Sequence, residues 1–165
     1  MEPGEALGIA AQIAVALAGF AGVVVVFHRE SVHEWSGIDK LRLRLLLANS
    51  ILPLGLCMVG LLLLTIKPTP PGMWRWCSGM ALVVFLLFVT TSGKTFRRLD
   101  LPEVKRERLT SIVFYVFAAI GTPILLLQLY NTVFLGAFWP FFTGIDFQLI
   151  AAAFQFTRMI FLLPE

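Results

Sequence analysis

The sequence predicts an all-α polytopic membrane protein: a single domain over residues 1–165, built as a bundle of five transmembrane helices with its N-terminus outside. Three observations predict it. Hydrophobic residues make up 58% of the chain and charged residues only 14%, where soluble domains carry about 45–50% and about 25%. The apolar residues gather in uncharged runs, at 6–27, 45–66, 76–93 and 110–145. The basic residues cluster between those runs instead of scattering along the chain. A bilayer core of roughly 30 Å is crossed by about 20 apolar helical residues, so each of the first three runs reads as one span. The fourth is too long for one crossing and holds a span plus the start of another element.

The first span, 6–27, contains ALGIAAQIAVALAGFAG, with a small residue at every fourth position: Ala6, Ala10, Ala14, Ala18 and Gly22. Such a seam lets helix backbones approach until dispersion contacts hold them together. A helix of the same chain is the first expected partner and a second copy the alternative, with Gln12 beside the seam to hydrogen-bond across it. The loop that follows, HRESVHE, places His28 and His33 five residues apart. That spacing does not share a helix face, and His33-Glu34 does not begin an HExxH motif. Polar loop histidines at the cytoplasmic mouth are the expectation.

The second span, 45–66, is fed by a helix starting near Asp39, and Pro53 kinks it. Ser50 is expected to satisfy the carbonyl that the proline frees, and Thr122 to do the same beside Pro123 in the fourth span. Cys57 and Cys77 have no CxxC pattern and read as buried thiols packing as small hydrophobes. KPTPPG, flanked by Trp74 and Trp76, forms a tight turn at the outer headgroup level before the third span, 76–93. In DLPEVKRERL, Asp100 and Glu103 have capping-box spacing and Pro102 sits in the first turn, so a helix starts there and runs into the fourth span, 111–130.

Pro140, beside Trp139, opens the last segment, 140–163, long enough to be a fifth span ending inside. The alternative is four spans with an interfacial or re-entrant C-terminal helix. On that last helix Gln148, Ala152, Gln155 and Arg158 form one face of polar and small side chains. Polar residues inside a membrane face the bundle interior or a watery cavity. One expectation is interhelical hydrogen bonding to Gln12, Asn49, Gln128 or Asn131. The other is contact with a conducted or bound solute.

Orientation follows from charge. Arg29, Lys40, Arg42 and Arg44 lie between the first two spans, and Lys94, Arg97, Arg98, Lys105, Arg106 and Arg108 between the third and fourth. Only Lys67 and Arg75 lie between the second and third. The positive-inside rule therefore turns the two basic loops to the cytoplasm. The acidic start, with Glu2 and Glu5, suits translocation and lacks the positive region of a cleaved signal peptide. The net charge of +3 is a topology signal, not a nucleic-acid one.

No nucleophile motif, paired carboxylates within a span, phosphate loop or dinucleotide fingerprint appears. The expected function is therefore that of a small integral protein of a bacterial cytoplasmic membrane, not an enzyme, and without a cofactor. It acts through assembly, as a homo-oligomer or as a subunit with another membrane protein, forming a pore or a scaffold. Its partners are the bilayer, including anionic lipid at the basic clusters, and itself or another membrane protein. The alternative is a small-solute or ion transporter or channel working through Gln148, Gln155 and Arg158. A membrane enzyme using His28, His33 and Glu34 on lipid or quinone is the weakest of the three classes.

Overall fold

A computed structural model describes residues 1–27, 35, 37–98 and 108–161 of the chain. Five long helices run through them: α1 (Pro3–Phe27), α2 (Gly37–Thr65), α3 (Met73–Arg98), α4 (Arg108–Tyr130) and α5 (Phe138–Phe161). A π-helical turn, Asn131–Leu135, extends α4. Among them, 3–23, 39–65, 73–96 and 112–135 are long and apolar enough to cross a membrane. The protein is thus an all-helical membrane bundle. The histidine loop with Glu34, Asp100, Pro102 and Glu103 of the expected cap, and the basic residues Arg29, Lys105 and Arg106 lie outside the described residues.

The last helix, α5, has 24 residues, or about 36 Å of rise. It lies along the bundle and not across its end. At one end Phe141 meets Gly60 and Leu7, for a Cβ on Gly60 would stand 3.6 Å from Phe141 Cε1 and 2.8 Å from Leu7 Cδ1. At the other end Phe156 stacks on Phe20, ring centroids 4.9 Å apart. These two contacts run α5 parallel to α1 over most of its length. It also packs against α2, α3 and α4, which makes it the hub of the bundle. An interfacial helix would face lipid along one side and headgroups along the other. Here Phe141, Ile145, Gln148, Leu149 and Ala152 are all buried by neighbouring helices.

The small-residue seam of α1 is used within the chain. Ala6, Ala10 and Ala14 are buried. Ala10 and Ala14 share one core with Leu46, Leu56 and Cys57 of α2 and with Ile145 and Ala152 of α5. The seam then leaves the contact: Ala18 is half-buried and Gly22 exposed, while Leu17 and Ala21 take over. The cause is helical pitch. Positions four apart precess by about 40° per step on a helix of 3.6 residues per turn, so five of them cannot all face one partner.

The prolines are accommodated differently from the sequence expectation. Ser50 Oγ donates to Leu46 O at 2.8 Å and Thr122 Oγ1 to Ala118 O at 2.9 Å. Each hydroxyl reaches the carbonyl one turn back on its own face. Those are not the carbonyls of Asn49 and Ala119, which Pro53 and Pro123 deprive of their usual donors. Cys57 and Cys77 are free thiols buried in the core.

At the end where α1 begins, the chain turns tightly between α2 and α3 and between α4 and α5. Trp76 and Trp139 are exposed there, and Trp74 leans on Phe138 and Phe141 with centroids 4.8 and 5.9 Å away. Asn131 fastens this end. Its Nδ2 donates to Ser78 Oγ at 2.6 Å and to Ala137 O at 2.9 Å, and its Oδ1 accepts from the Ala137 N–H at 2.8 Å. Arg75 adds a bond from Nη2 to Phe134 O at 3.1 Å. Gly136, at φ +65°, lies against the Arg75 side chain, where a Cβ would stand 3.0 Å from its Nε. The opposite end carries Lys40, Arg42, Arg44, Lys94 and Arg158 and is called the basic end below.

Candidate functional site

A cavity of about 180 Å³ lies between α2, α3, α4 and α5. α2 and α4 each pack on both α3 and α5, so the four helices border it. Its lining starts near mid-bundle, at Asn49, Phe85 and Gln148, and runs to the last turns at the basic end, at Arg42, Phe96 and Arg158. The chamber therefore occupies the basic-end half of the bundle.

Its deep end is closed by a close approach of three helices. A Cβ on Gly144 of α5 would stand 2.8 Å from Phe85 Cε2 and 2.8 Å from Gln128 Nε2. Gln128 is itself fixed, donating from Nε2 to Pro140 O at 2.5 Å.

The walls differ in chemistry. On the α3–α4 side six phenylalanines line the space: Phe85, Phe88, Phe96, Phe114 and Phe117, joined by Phe147 from α5. Phe96 and Phe114 stack face to face across the helix pair, with centroids 4.3 Å apart and planes 3° from parallel. Phe117 meets Phe147 at 5.9 Å across the α4–α5 pair. The α2–α5 side is polar, with Asn49, Gln148 and Gln155 in its deeper part and Arg42 and Arg158 at the basic end. All five are buried. Arg42 Nη1 holds Asp39 Oδ1 at 2.9 Å, so this guanidinium is paired at the mouth.

The polar face predicted on the last helix thus lines the chamber at Gln148, Gln155 and Arg158. Ala151, not Ala152, is the small residue between them; Ala152 is fully buried in the core shared with α1 and α2. Interhelical hydrogen bonding through Gln12, Asn49, Gln128 and Asn131 does not account for this face. Gln12 is exposed, Asn49 Nδ2 donates to Leu45 O at 2.9 Å, and Gln128 and Asn131 are engaged at the opposite end. Among the described residues, no side chain hydrogen-bonds the carboxamide of Gln148 or of Gln155, and the Oε1 of each is sealed from solvent.

Of the basic clusters, Arg44 and Lys40 are exposed at the start of α2 and Arg42 turns inward to the chamber. Arg97 and Arg98 end α3 and Arg108 begins α4. Among the described residues no three of His, Cys, Asp and Glu stand close enough to hold a metal ion.

The sequence signal for the aromatic wall was absent, because phenylalanines on α3 and α4 resemble lipid-facing residues until the helices are brought together. No family model, no curated protein and no solved structure matches the chain.

Proposed function

We propose that this chain is a small integral membrane protein that binds a small amphiphilic molecule in the chamber of α2, α3, α4 and α5 and exchanges it with the basic face of the membrane. One observation carries the reading: two buried carboxamides, Gln148 and Gln155, line a largely apolar cavity without a protein hydrogen-bond partner. Leaving a buried polar group unpaired costs about 1–3 kcal/mol, so packing alone does not favour such an arrangement. Polar side chains placed inside a membrane mark sites of function by default. The positive-inside rule makes the basic face cytoplasmic. The small-residue seam lends little support to assembly between copies, since Ala6, Ala10 and Ala14 are already buried within one chain.

The test is accessibility. In a chain with Cys57 and Cys77 replaced by alanine, single cysteines are introduced as Gln155→Cys, Gln148→Cys and Ala152→Cys. A charged, membrane-impermeant thiol reagent is applied to each face of reconstituted vesicles. Modification at 155, and more slowly at 148, from the basic face only is expected, with none at 152. Protection of both 155 and 148 overturns the reading.

A further inference from the structure

We infer that the chamber's ligand is a single six-membered aromatic ring bearing a hydrogen-bond-accepting hydroxyl, of the phenol class. The inference rests on the binding role proposed above and adds the chemistry of what is bound. Size gives the first argument. A dry apolar cavity of about 150 Å³ accepts one benzene, so the 180 Å³ available here suits one ring with a small substituent.

The walls give the second. Aromatic side chains pair best with other rings, edge to face or offset, and gain about 0.5–1.5 kcal/mol beyond burial. Phe85, Phe88, Phe117 and Phe147 line the space, with the Phe96–Phe114 stack toward the basic end. The opposite wall gives the third. Gln148 and Gln155 stand seven residues apart on α5, two turns along one face, so both carboxamides address one side of the same guest. With both Oε1 atoms packed away, the carboxamide nitrogens are left to donate, which matches the oxygen of a hydroxyl group and leaves a hydrocarbon unrewarded. A lipid acyl chain would leave both carboxamides unpaired, and a polar solute such as a sugar would set its hydroxyls against six rings.

The experiment uses the full chain in nanodiscs, with empty nanodiscs of the same lipid as the partition control. Fluorine NMR follows para-fluorophenol and para-fluorotoluene, and unlabelled cyclohexanol serves as a competitor. The expected result is a bound para-fluorophenol resonance that saturates. Para-fluorotoluene should bind at least about tenfold more weakly, as expected for a site with unmet hydrogen-bonding groups. Cyclohexanol should fail to displace the phenol at comparable concentration. Gln148→Leu and Gln155→Leu should each weaken phenol binding by about tenfold and improve toluene binding. Because wild-type discrimination between the probes needs no variant, poor folding of either substitution leaves the test intact.

Toluene binding as tightly as phenol, or cyclohexanol displacing it equally, overturns the assigned ligand class. Absence of any bound probe, with the cysteines at 148 and 155 still modified from the basic face, also overturns it and leaves the chamber reading standing. Absence of bound probe together with protected cysteines overturns both.

Discussion

The ring of Phe85 rests on the bare backbone of Gly144, so close that a methyl group there would stand 2.8 Å from Phe85 Cε2. Gln128 presses on the same spot from α4, its Nε2 also 2.8 Å from the absent Cβ. Gly144→Ala should therefore destabilise the bundle by about 1–3 kcal/mol, the usual cost of overpacking. Gly60→Ala should cost less, because its closest neighbour, Leu7 Cδ1, is the end of a flexible side chain. Thermal unfolding of both variants in one detergent tests the order; a larger loss for Gly60→Ala would show that the three-helix contact is not the tighter one.

Asn131 should be the most costly polar residue to remove. It is fully buried and makes two donor bonds and one acceptor bond that tie the start of α5 to α3. Asn131→Leu forfeits all three and strands the Ala137 N–H, a loss of about 2–3 kcal/mol. Ser78→Ala removes one of them and should cost about 1 kcal/mol. The same unfolding measurement reads both, and equal effects would argue against the network.

The precession of the α1 seam makes a graded prediction. Ala14→Leu enlarges a residue with no exposed surface in the shared core and should cost about 1–3 kcal/mol. Gly22→Leu adds its side chain to open space, since a Cβ there meets nothing within 4 Å, and should leave stability unchanged or slightly raised. A destabilised Gly22→Leu, with loss of an oligomer on sizing in lipid, would instead place a second copy on this end of the seam.

Topology has a direct check. Thr69 is exposed in the turn between α2 and α3, and Lys94 is exposed near the end of α3. In a chain lacking Cys57 and Cys77, Thr69→Cys should react with an impermeant maleimide on intact cells, and Lys94→Cys only after permeabilisation. The reverse pattern would invert the orientation read from the arginines and lysines.

Much of this architecture is legible in the sequence, for reasons of scale. Long uncharged runs have one physical use, and Gln148, Gln155 and Arg158 stand out against apolar neighbours at a spacing that only a helix aligns. The small residue that shares their face is Ala151 and not Ala152. At about 100° per residue, Ala151 lies about 30° from the mean direction of the three, and Ala152 about 70°. The aromatic wall was illegible for a different reason. Phe85, Phe88 and Phe96 share one face of α3, yet its other faces are equally apolar, so the pattern carries no contrast. Likewise, a spacing of four marked all of Ala6 to Gly22 as one seam, where helical pitch allows only the first three to be buried together.

Among the described residues, the side-chain hydrogen bonds from α4 and its π-turn to neighbouring segments lie toward the Asn131 end, and nearer the basic end Phe114 stacks on Phe96 and Phe117 meets Phe147 and Phe154. Stacked rings slide, whereas hydrogen bonds break. For a helix pinned at one end, a tilt of about 10° over roughly 30 Å of its length would carry the other end about 5 Å. A tilt of that size would widen the basic end by about the width of a side chain and leave the Gly144 contact at the far end in place.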